Sequence, residues 1–294
     1  MNKDKIKNFW QNLQKEAHKK NLDKIDHTNI HKFLKNLEKL FINRNHLAIN
    51  EMDYKNIHNK KVLEIGCGTG GHSLLFASKG AELTSTDITP ERVDSSRKLI
   101  NLLKNHNTKF KICDAENLPF DNNEFDIVYS NGVLHHTHNI SKAIDEVRRV
   151  LKPGGEAIIM LYCRNSFLYY VNIWFIKGII LGYKKKFKDN WIGASTEWMS
   201  DKKQKVYNPV TYVFNKNEIN TLFEEFNVVS IRKNSFIFNH IPFIGKYLSK
   251  LLGMYYGYNE AGILIYDKPW RNETKLEKYL GQYIGFCYNI KVSK

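Results

Sequence analysis

Glycines follow directly on an apolar segment in the first third of the chain. The run VLEIG (62–66) leads into Gly68 and Gly70, and a segment with helical character (71–80) comes next. Glycine lets the backbone bend tightly and approach a ligand where a Cβ would collide. A strand, a glycine turn and a helix in this order are typical of a ligand site at the carboxyl edge of a parallel sheet.

The glycine spacing alone does not identify the ligand. Gly66, Gly68 and Gly71 satisfy the G-x-G-x-x-G pattern of dinucleotide-binding loops. Asp87, at the end of the next predicted strand, can accept both ribose hydroxyls of an adenosyl group. Nicotinamide enzymes use a carboxylate in the same way, so this residue does not discriminate either. A tight turn without any ligand stays an alternative.

Three histidines follow the fourth predicted strand, at positions 135, 136 and 138. A histidine titrates near neutral pH and can take a proton from an acceptor hydroxyl or carbon acid. Adjacent side chains point in different directions, so at most one of His135 and His136 faces a substrate. Both are catalytic candidates, with a packing role as the alternative. No cysteine or carboxylate cluster supports a metal site here, and none is predicted.

Strand and helix signals alternate through the middle of the chain and predict an α/β fold with a doubly wound, mostly parallel sheet. Thr89 and Pro90 predict the N-cap and first residue of one helix, which we expect to run to about His106. Pro153-Gly154-Gly155 predicts a helix stop and a turn. Seven strands are expected, at 62–66, 81–87, 109–115, 125–131, 156–163, 227–236 and 262–268. The helices expected between them include 141–152, 215–226 and 241–256.

This pattern divides the chain into five predicted regions. They are an N-terminal helical cap (1–60), a cofactor-binding core (61–163), an insertion or lid that could bind substrate (164–214), the C-terminal part of the sheet with an inserted helix (215–269) and an unassigned tail (270–294). The segment 166–188 is apolar and aromatic, then basic. Asn172 and Lys177 interrupt it, so it predicts a lid helix or an interfacial anchor better than a membrane span. An ordinary packed helix is the alternative.

The net charge of +15 is placed unevenly. Residues 1–61 contain 14 Lys or Arg and 7 Asp or Glu, and residues 163–294 contain 20 and 10, whereas residues 62–162 contain 11 and 13. A basic excess attracts anionic substrates, membrane surfaces or nucleic acid, and a solvated surface is the neutral alternative. Four scattered cysteines without a C-x-x-C pair favour a reducing compartment, and the first ten residues lack the apolar region of a secretory signal.

Four stretches within 62–162 occur in a familiar order and spacing. They are VLEIGCGTGGHSLLFA, STDIT, CDAENLPFDNNEFDIVYSNGVLHH and EVRRVLKPGGEAIIM. Together they resemble the class I S-adenosylmethionine-dependent methyltransferases of the UbiE-like, methyltransferase 11 type. The resemblance implies a Rossmann-like sheet with helical cap insertions and S-adenosyl-L-methionine as the cofactor. The flanks, 1–61 and 163–294, are only generally similar to the family's variable caps.

The resemblance also implies roles for individual residues. It places Glu64 and the loop residues Gly66, Gly68 and Gly70 around the methionine part of the cofactor, and Asp87 at the ribose. It places Ile88, Asp114, Ala115 and Glu116 against the adenine, and Asn131 and Gly132 on the sulfonium side.

The sequence therefore predicts in-line methyl transfer to a small-molecule acceptor, anionic or apolar. Aromatic residues such as Phe167, Tyr170 and Trp174 favour a hydrophobic or lipid-linked one. A nicotinamide oxidoreductase, a nucleic-acid methyltransferase and a catalytically silent cofactor-binding protein are the alternatives. Nucleic acid is disfavoured because the lysines at 184–188 follow an apolar helix instead of a base-stacking sheet. The expected location is the cytoplasm, with contact to the inner face of a membrane as a further expectation.

Overall fold

A seven-stranded sheet organises the part of the chain described by the computed structural model, residues 3–13, 22–104, 106–201 and 204–294. Parts of the predicted N-terminal cap, residues 1–2 and 14–21, lie outside the described residues. The large sheet consists of β1 (Lys61–Ile65), β2 (Glu82–Asp87), β3 (Asn107–Ile112), β4 (Phe125–Asn131), β5 (Leu151–Tyr162), β8 (Asn227–Asn234) and β11 (Cys287–Ser293). Two short pairs join β6 (Trp198–Asp201) to β7 (Gln204–Tyr207) and β9 (Tyr258–Asn259) to β10 (Trp270–Arg271).

Helices connect these strands and cover the sheet. They are α1 (Lys3–Asn12), α2 (Ile30–Asn43), α3 (Leu47–Asn50), α4 (Gly71–Ser78), α5 (Pro90–Ile100), α6 (Ile140–Val150), α7 (Leu168–Ile180, wound in the wider π form), α8 (Tyr183–Phe187), α9 (Trp191–Thr196), α10 (Lys216–Leu222), α11 (Gly245–Tyr256), α12 (Ile263–Tyr266) and α13 (Lys275–Ile284).

The strand order of the large sheet is β3-β2-β1-β4-β5-β11-β8. The pairs among β1 to β5 are parallel, whereas β11 runs antiparallel to both of its neighbours, β5 and β8. The chain moves outward from β1 in one direction and then in the other, so the carboxyl ends of β1, β2 and β4 meet at one edge. The predicted doubly wound, mostly parallel seven-stranded sheet is confirmed.

The central strands are buried on both faces, as apolar runs in parallel sheets generally are. On one face Val62 of β1 packs in a cluster that includes Leu74 of α4. On the other face Leu63 and Val128 pack in a cluster that includes Val147 of α6. Two layers of helices therefore hold β1 and β4 in place, and the edge where these strands end is fixed in turn.

The prediction that 262–268 forms the last strand is wrong. This segment forms α12, and its Leu264 is buried in the cluster that holds α2 and α4. Short apolar runs fit a buried helix as well as a buried strand. The seventh strand instead comes from the segment left unassigned, where Tyr288, Ile290 and Val292 alternate into the core beside β5.

Several helix boundaries also differ from expectation. The helix expected at 215–226 ends at Leu222, and the one expected at 241–256 begins at Gly245. The helix expected to reach His106 ends at Ile100, and the one expected at 141–152 ends at Val150. Pro153 to Gly155 lie inside β5, where the pairing with β4 shifts register, so the strand begins before this motif and not after it.

The segment 166–188 folds as α7 and α8. Tyr169 and Ile173 of α7 are buried in a cluster with Val213 and Phe286, so part of the helix packs as an ordinary core element. Other aromatic side chains of α7, such as Trp174, remain partly exposed. Within the described ranges, no helix combines the length and apolarity needed to cross a membrane.

The position of β11 between β5 and β8 predicts that its core side chains carry stability. Ile290 is fully buried, so Ile290→Ala should lower the free energy of unfolding by about 2–5 kcal/mol. Ile112, in β3 at the opposite edge, is 51% exposed, and Ile112→Ala should cost less than about 1 kcal/mol. Urea unfolding measures both. Equal losses for the two variants would contradict the placement of β11.

Candidate functional site

The glycine loop after β1 is pinned to the end of β2. The backbone N–H groups of Gly66 and Cys67 both donate to the carbonyl oxygen of Thr86, each at 2.8 Å. The N–H of Gly68 donates to Asp87 Oδ2 at 3.2 Å. The loop therefore cannot move away from the acidic end of β2 without losing all three hydrogen bonds.

Glycine is needed at two of these positions for different reasons. A Cβ on Gly66 would lie 2.2 Å from Val133 Cγ2, so the backbone passes too close to its neighbour for any side chain. At Gly68 no atom lies within 4 Å of that position, but φ is +55° and favours glycine. The loop thus leaves open space at Gly68, where a ligand can approach the backbone.

A pocket lies beside this loop. Eight of the predicted site residues line it: Gly66, Asp87, Ile88, Asp114, Ala115, Glu116, Gly132 and His136. Five others, Glu64, Gly68, Gly70, Asn131 and His135, do not line it. The carboxyl ends of β1, β2 and β4 and the loop after β3 therefore converge as the sequence predicted.

Glu64 lies in β1 directly before the loop, and its side chain is almost completely buried. Ser73 of α4 donates to Oε2, whereas Oε1 has no hydrogen-bond partner among the described residues. Burial raises the pKa of Glu64 to about 8, with a smaller contribution from the negative charge of Asp87, while the Ser73 hydrogen bond opposes the shift. A buried carboxyl with a free oxygen is able to receive a cationic or hydrogen-bonding group.

Asp87 is also buried, and its neighbours partly fill its acceptor positions. Thr89 occupies the N-cap of α5 as predicted, yet its side chain makes no capping bond. Its N–H and hydroxyl instead donate to Asp87 Oδ1 at 3.1 and 3.0 Å. Together with the Gly68 contact, these bonds fix the carboxylate at the pocket wall.

The two candidate histidines occupy different environments. His135 is fully buried, its ring centroid is 3.9 Å from that of Tyr162, and it does not line the pocket. His136 lines the pocket, and its Nδ1 lies 3.1 Å from the carbonyl oxygen of Val210. The same Nδ1 lies 3.0 Å from the side-chain amide nitrogen of Asn208 and 3.2 Å from the hydroxyl oxygen of Thr211. Burial lowers the pKa of His136, and the charge of Glu197 opposes the shift.

Comparison with known proteins connects this geometry to a family. Residues 63–159 match the family model described as a methyltransferase domain. These residues form a methyltransferase domain. The resemblance seen in the sequence is thereby confirmed for the central third of the chain.

Relatives of known name match the same segment. Sterol 4-C-methyltransferase of Caenorhabditis elegans is 36% identical over 106 residues, and tocopherol O-methyltransferase of Arabidopsis thaliana is 35% identical over 109 residues. Each match covers 36% of this chain, and the chain spans 31% of the length of each relative. A solved S-adenosylmethionine-dependent methyltransferase of Methanosarcina mazei shares the fold, with a TM-score of 0.51 and 22% identity over 81% of this chain and 93% of that one.

Sequence reasoning missed the part that α1 plays at the methyltransferase domain. Lys3, Ile6 and Trp10 of this helix line the pocket. Lys3 Nζ lies 2.7 Å from both Asp114 Oδ2 and Glu116 Oε2. Ile6 and Trp10 follow Lys3 at spacings of three and seven residues, which place all three on one helix face. That spacing was the only signal available, and it does not say which surface the face covers.

Trp10 ties α1 to two elements of the domain. Its ring centroid lies 5.0 Å from that of His136 and 5.1 Å from the guanidinium carbon of Arg92. Gln11 of the same helix donates to Glu91 at 2.7 Å. The contacts at both ends hold α1 across the pocket.

A polar cluster around Glu197, a residue of the 164–214 region, was also missed. His136 Nε2 lies 3.8 Å from Glu197 Oε1, and the Tyr162 hydroxyl donates to the same oxygen at 2.9 Å. The side-chain amide of Asn208 and the hydroxyl of Thr211 donate to Glu197 Oε2 at 3.1 and 3.3 Å. Spacing along the chain gives no sign of this group, because its members come from three distant segments.

The structure does not bring 166–188 to this pocket, so the lid role of that segment stays a prediction. In the described residues, His, Cys, Asp and Glu side chains nowhere gather in the threes that a metal ion would need.

The raised pKa of Glu64 predicts a specific pH dependence of stability. Between its ordinary value of 4.5 and about 8, the folded protein keeps a proton that the unfolded chain releases. The free energy of unfolding should therefore fall as pH rises through this range, by on the order of a few kcal/mol, and level off above it. Comparing wild type with Glu64→Gln by urea unfolding isolates this contribution. An unchanged difference between pH 5 and pH 8 would contradict the assignment.

Proposed function

We propose that this chain transfers a methyl group from S-adenosyl-L-methionine to a small molecule, and that the pocket beside Gly66 holds the cofactor. The observation that carries the proposal is the concentration of carboxyl groups at one edge of the sheet. Asp87, Asp114 and Glu116 line the pocket, and Glu64 lies next to it with one oxygen unpartnered. This arrangement suits a ligand that bears an ammonium, a sulfonium and ribose hydroxyls.

The residues present fit the cofactor part by part. The free Oε1 of Glu64 and the open space at Gly68 would receive the methionine portion. Asp87 Oδ2 accepts one hydrogen bond, from Gly68, and has a further lone pair for a ribose hydroxyl. Ile88 and Ala115 offer apolar contact for the adenine ring.

Helix α1 contacts the residues that would bind the adenine ring. Asp114 would accept from the adenine amino group, but its Oδ1 already accepts from the N–H of Glu116 and its Oδ2 is paired with Lys3. The partly exposed Lys3 would have to share Oδ2 or shift towards Glu116, which it already contacts. Cofactor binding would then rearrange the contact between α1 and the domain.

When bound, the cofactor supplies a methyl group on a cationic sulfur that a nucleophile can displace in line. The protein's task is then to hold the acceptor opposite that sulfur and to exclude water. Trp10 and Val133 form apolar wall on the side where His136 lies. His136, whose Nε2 lies 3.8 Å from Glu197 Oε1, would take the proton from an acceptor hydroxyl or carbon acid.

We further propose an apolar or lipid-linked acceptor. The lining of the pocket includes Ile6, Trp10, Ile65 and Val133, which suit an acceptor with little charge. The two named relatives act, by their names, on a sterol and on tocopherol, both apolar molecules. We place the enzyme in the cytoplasm, where 166–188 would touch the inner face of a membrane.

Calorimetry tests the cofactor assignment. The wild-type chain should bind S-adenosylmethionine and S-adenosylhomocysteine, and NAD should not bind. Asp87→Asn should weaken binding of both sulfur ligands by about tenfold or more, since a hydrogen bond to a charged group contributes about 1.5–3 kcal/mol. Asp94→Asn changes an exposed carboxylate on α5 and serves as the matched control. Binding of NAD alone would refute the proposal.

Turnover tests the role of His136. With a cellular lipid extract as the source of acceptor, His136→Gln should slow release of S-adenosylhomocysteine by about 10²–10⁴-fold while cofactor affinity is kept. His31→Gln, on the exposed face of α2, is the control.

The pH profile separates a base from a structural residue. Burial lowers the pKa of His136, so wild-type activity should fall on acidification with a midpoint below the ordinary histidine value of 6.5. Glu197→Gln should lower that midpoint further, because it removes a charge that favours protonation. Identical profiles for all variants would mean that His136 is not the base.

A further inference from the structure

Helix α11 turns its apolar stripe towards solvent. Ile244, Tyr247, Leu251, Met254 and Tyr255 recur at helical spacing, and each is between 61% and 83% exposed. Phe243, just before the helix, is 92% exposed. A surface helix of a globular protein normally points such a stripe at the core. In α11 these large apolar side chains instead point outwards.

The side of α11 that faces the protein contains two glycines, Gly245 and Gly253, together with the partly buried Leu248 and Leu252. A Cβ on Gly245 would lie 2.4 Å from the carbonyl oxygen of Phe238, and one on Gly253 would lie 2.2 Å from the Tyr258 hydroxyl oxygen. The two glycines let the helix backbone lie directly on its support. The contact of Gly245 with backbone atoms of Phe238 and Asn239 holds this side of the helix against the protein, and the apolar stripe lies on the outer side.

Two other helices with exposed apolar residues lie around the same support, the segment 233–240. Asn172 of α7 donates to the carbonyl of His240 at 2.5 Å, and Lys233 donates to the carbonyl of Tyr283 in α13 at 3.0 Å. Exposed apolar side chains on these helices include Trp174, Phe175, Ile179 and Ile180 of α7 and Leu276, Tyr279 and Tyr283 of α13. Exposed apolar surface on this scale marks an interaction site.

The charges on α11 and in the segment directly after α7 are of one sign. The sequence contains no Asp or Glu from 226 to 259, which includes α11, nor from 157 to 188, which includes α7. Lys246 and Lys250 lie on α11 and are exposed, and four lysines follow α7 between positions 184 and 188. Two copies of such a face would repel each other, whereas an anionic surface would attract it.

We propose that the exposed stripe of α11, flanked by Lys246 and Lys250, docks the protein on an anionic lipid membrane. An apolar face with aromatic side chains and lysines at its margins is typical of a helix that lies in a membrane interface. The stripe inserts among the acyl chains, and the lysines pair with lipid phosphates. The proposal concerns a surface outside the cofactor pocket and does not depend on methyl transfer.

Vesicle co-sedimentation of the full chain tests this. Wild type should bind vesicles of equal parts phosphatidylcholine and phosphatidylglycerol and bind pure phosphatidylcholine weakly. Lys246→Gln/Lys250→Gln should weaken binding to the anionic vesicles by about fivefold for each lysine removed. Tyr247→Gln/Leu251→Gln/Met254→Gln should weaken it by at least about tenfold, because the inserted apolar area is lost.

A matched control removes exposed apolar side chains elsewhere. Val228→Gln/Val229→Gln alters two exposed residues near the start of β8, and it should bind vesicles like wild type. Circular dichroism and calorimetry with S-adenosylhomocysteine verify that each variant is folded.

Three outcomes would overturn the proposal. They are equal vesicle binding by wild type and the apolar triple variant, equal binding to anionic and neutral vesicles, and a wild-type dimer that the triple variant dissolves while neither protein binds lipid. Analytical ultracentrifugation detects the last. Vesicle binding without any cofactor binding would support the docking surface and count against the proposed function alone.

Discussion

The candidate site depends on the attachment of the glycine loop to the end of β2. Two consecutive N–H groups share the carbonyl oxygen of Thr86, and a third reaches the carboxylate of Asp87. In return, the Thr86 hydroxyl donates to the carbonyl of Glu64 at 2.8 Å. The ends of β1 and β2 therefore behave as one unit, and the positions of the two buried carboxyl groups follow from it. The contacts proposed for the methionine portion and the ribose of the cofactor begin at this junction.

The distribution of charge divides the molecule into two parts. Acidic groups of the core segment collect at the pocket edge, where burial makes their interaction with a cation stronger than it would be in water. Lys3 and Arg92 are the two lysine or arginine side chains among the described residues that line the pocket. The basic excess lies in the flanking regions, which include the lysines of α11 and those after α7. The same chain thus offers a negative interior site and a positive outer surface.

The sequence predicted the doubly wound, mostly parallel sheet and eight residues that line the pocket, because both follow from local sequence patterns. Gly66, Asp87 and Asp114 stand at strand ends, and parallel strands bring their carboxyl ends together. The predictions from the sequence were wrong or incomplete where contacts between distant segments determine the structure. The run at 262–268 fits strand and helix equally well, and only its position beside α2 and α4 makes it helical. Glu197 and α1 reach the pocket region through contacts between distant segments, which no spacing reveals.

The antiparallel strand β11 has a consequence for how the chain folds during synthesis. Strand β8 is made before α11, α12 and α13, yet in the finished sheet it pairs with β11 alone. Until the ribosome has released residues 287–293, β8 has no partner, and the edge of β5 remains open. The nascent chain therefore carries an unpaired β8 and an open edge on β5 while it already displays the apolar stripe of α11. Unpaired strand edges and exposed apolar side chains promote aggregation. We therefore expect the nascent chain to need chaperone binding most in this interval.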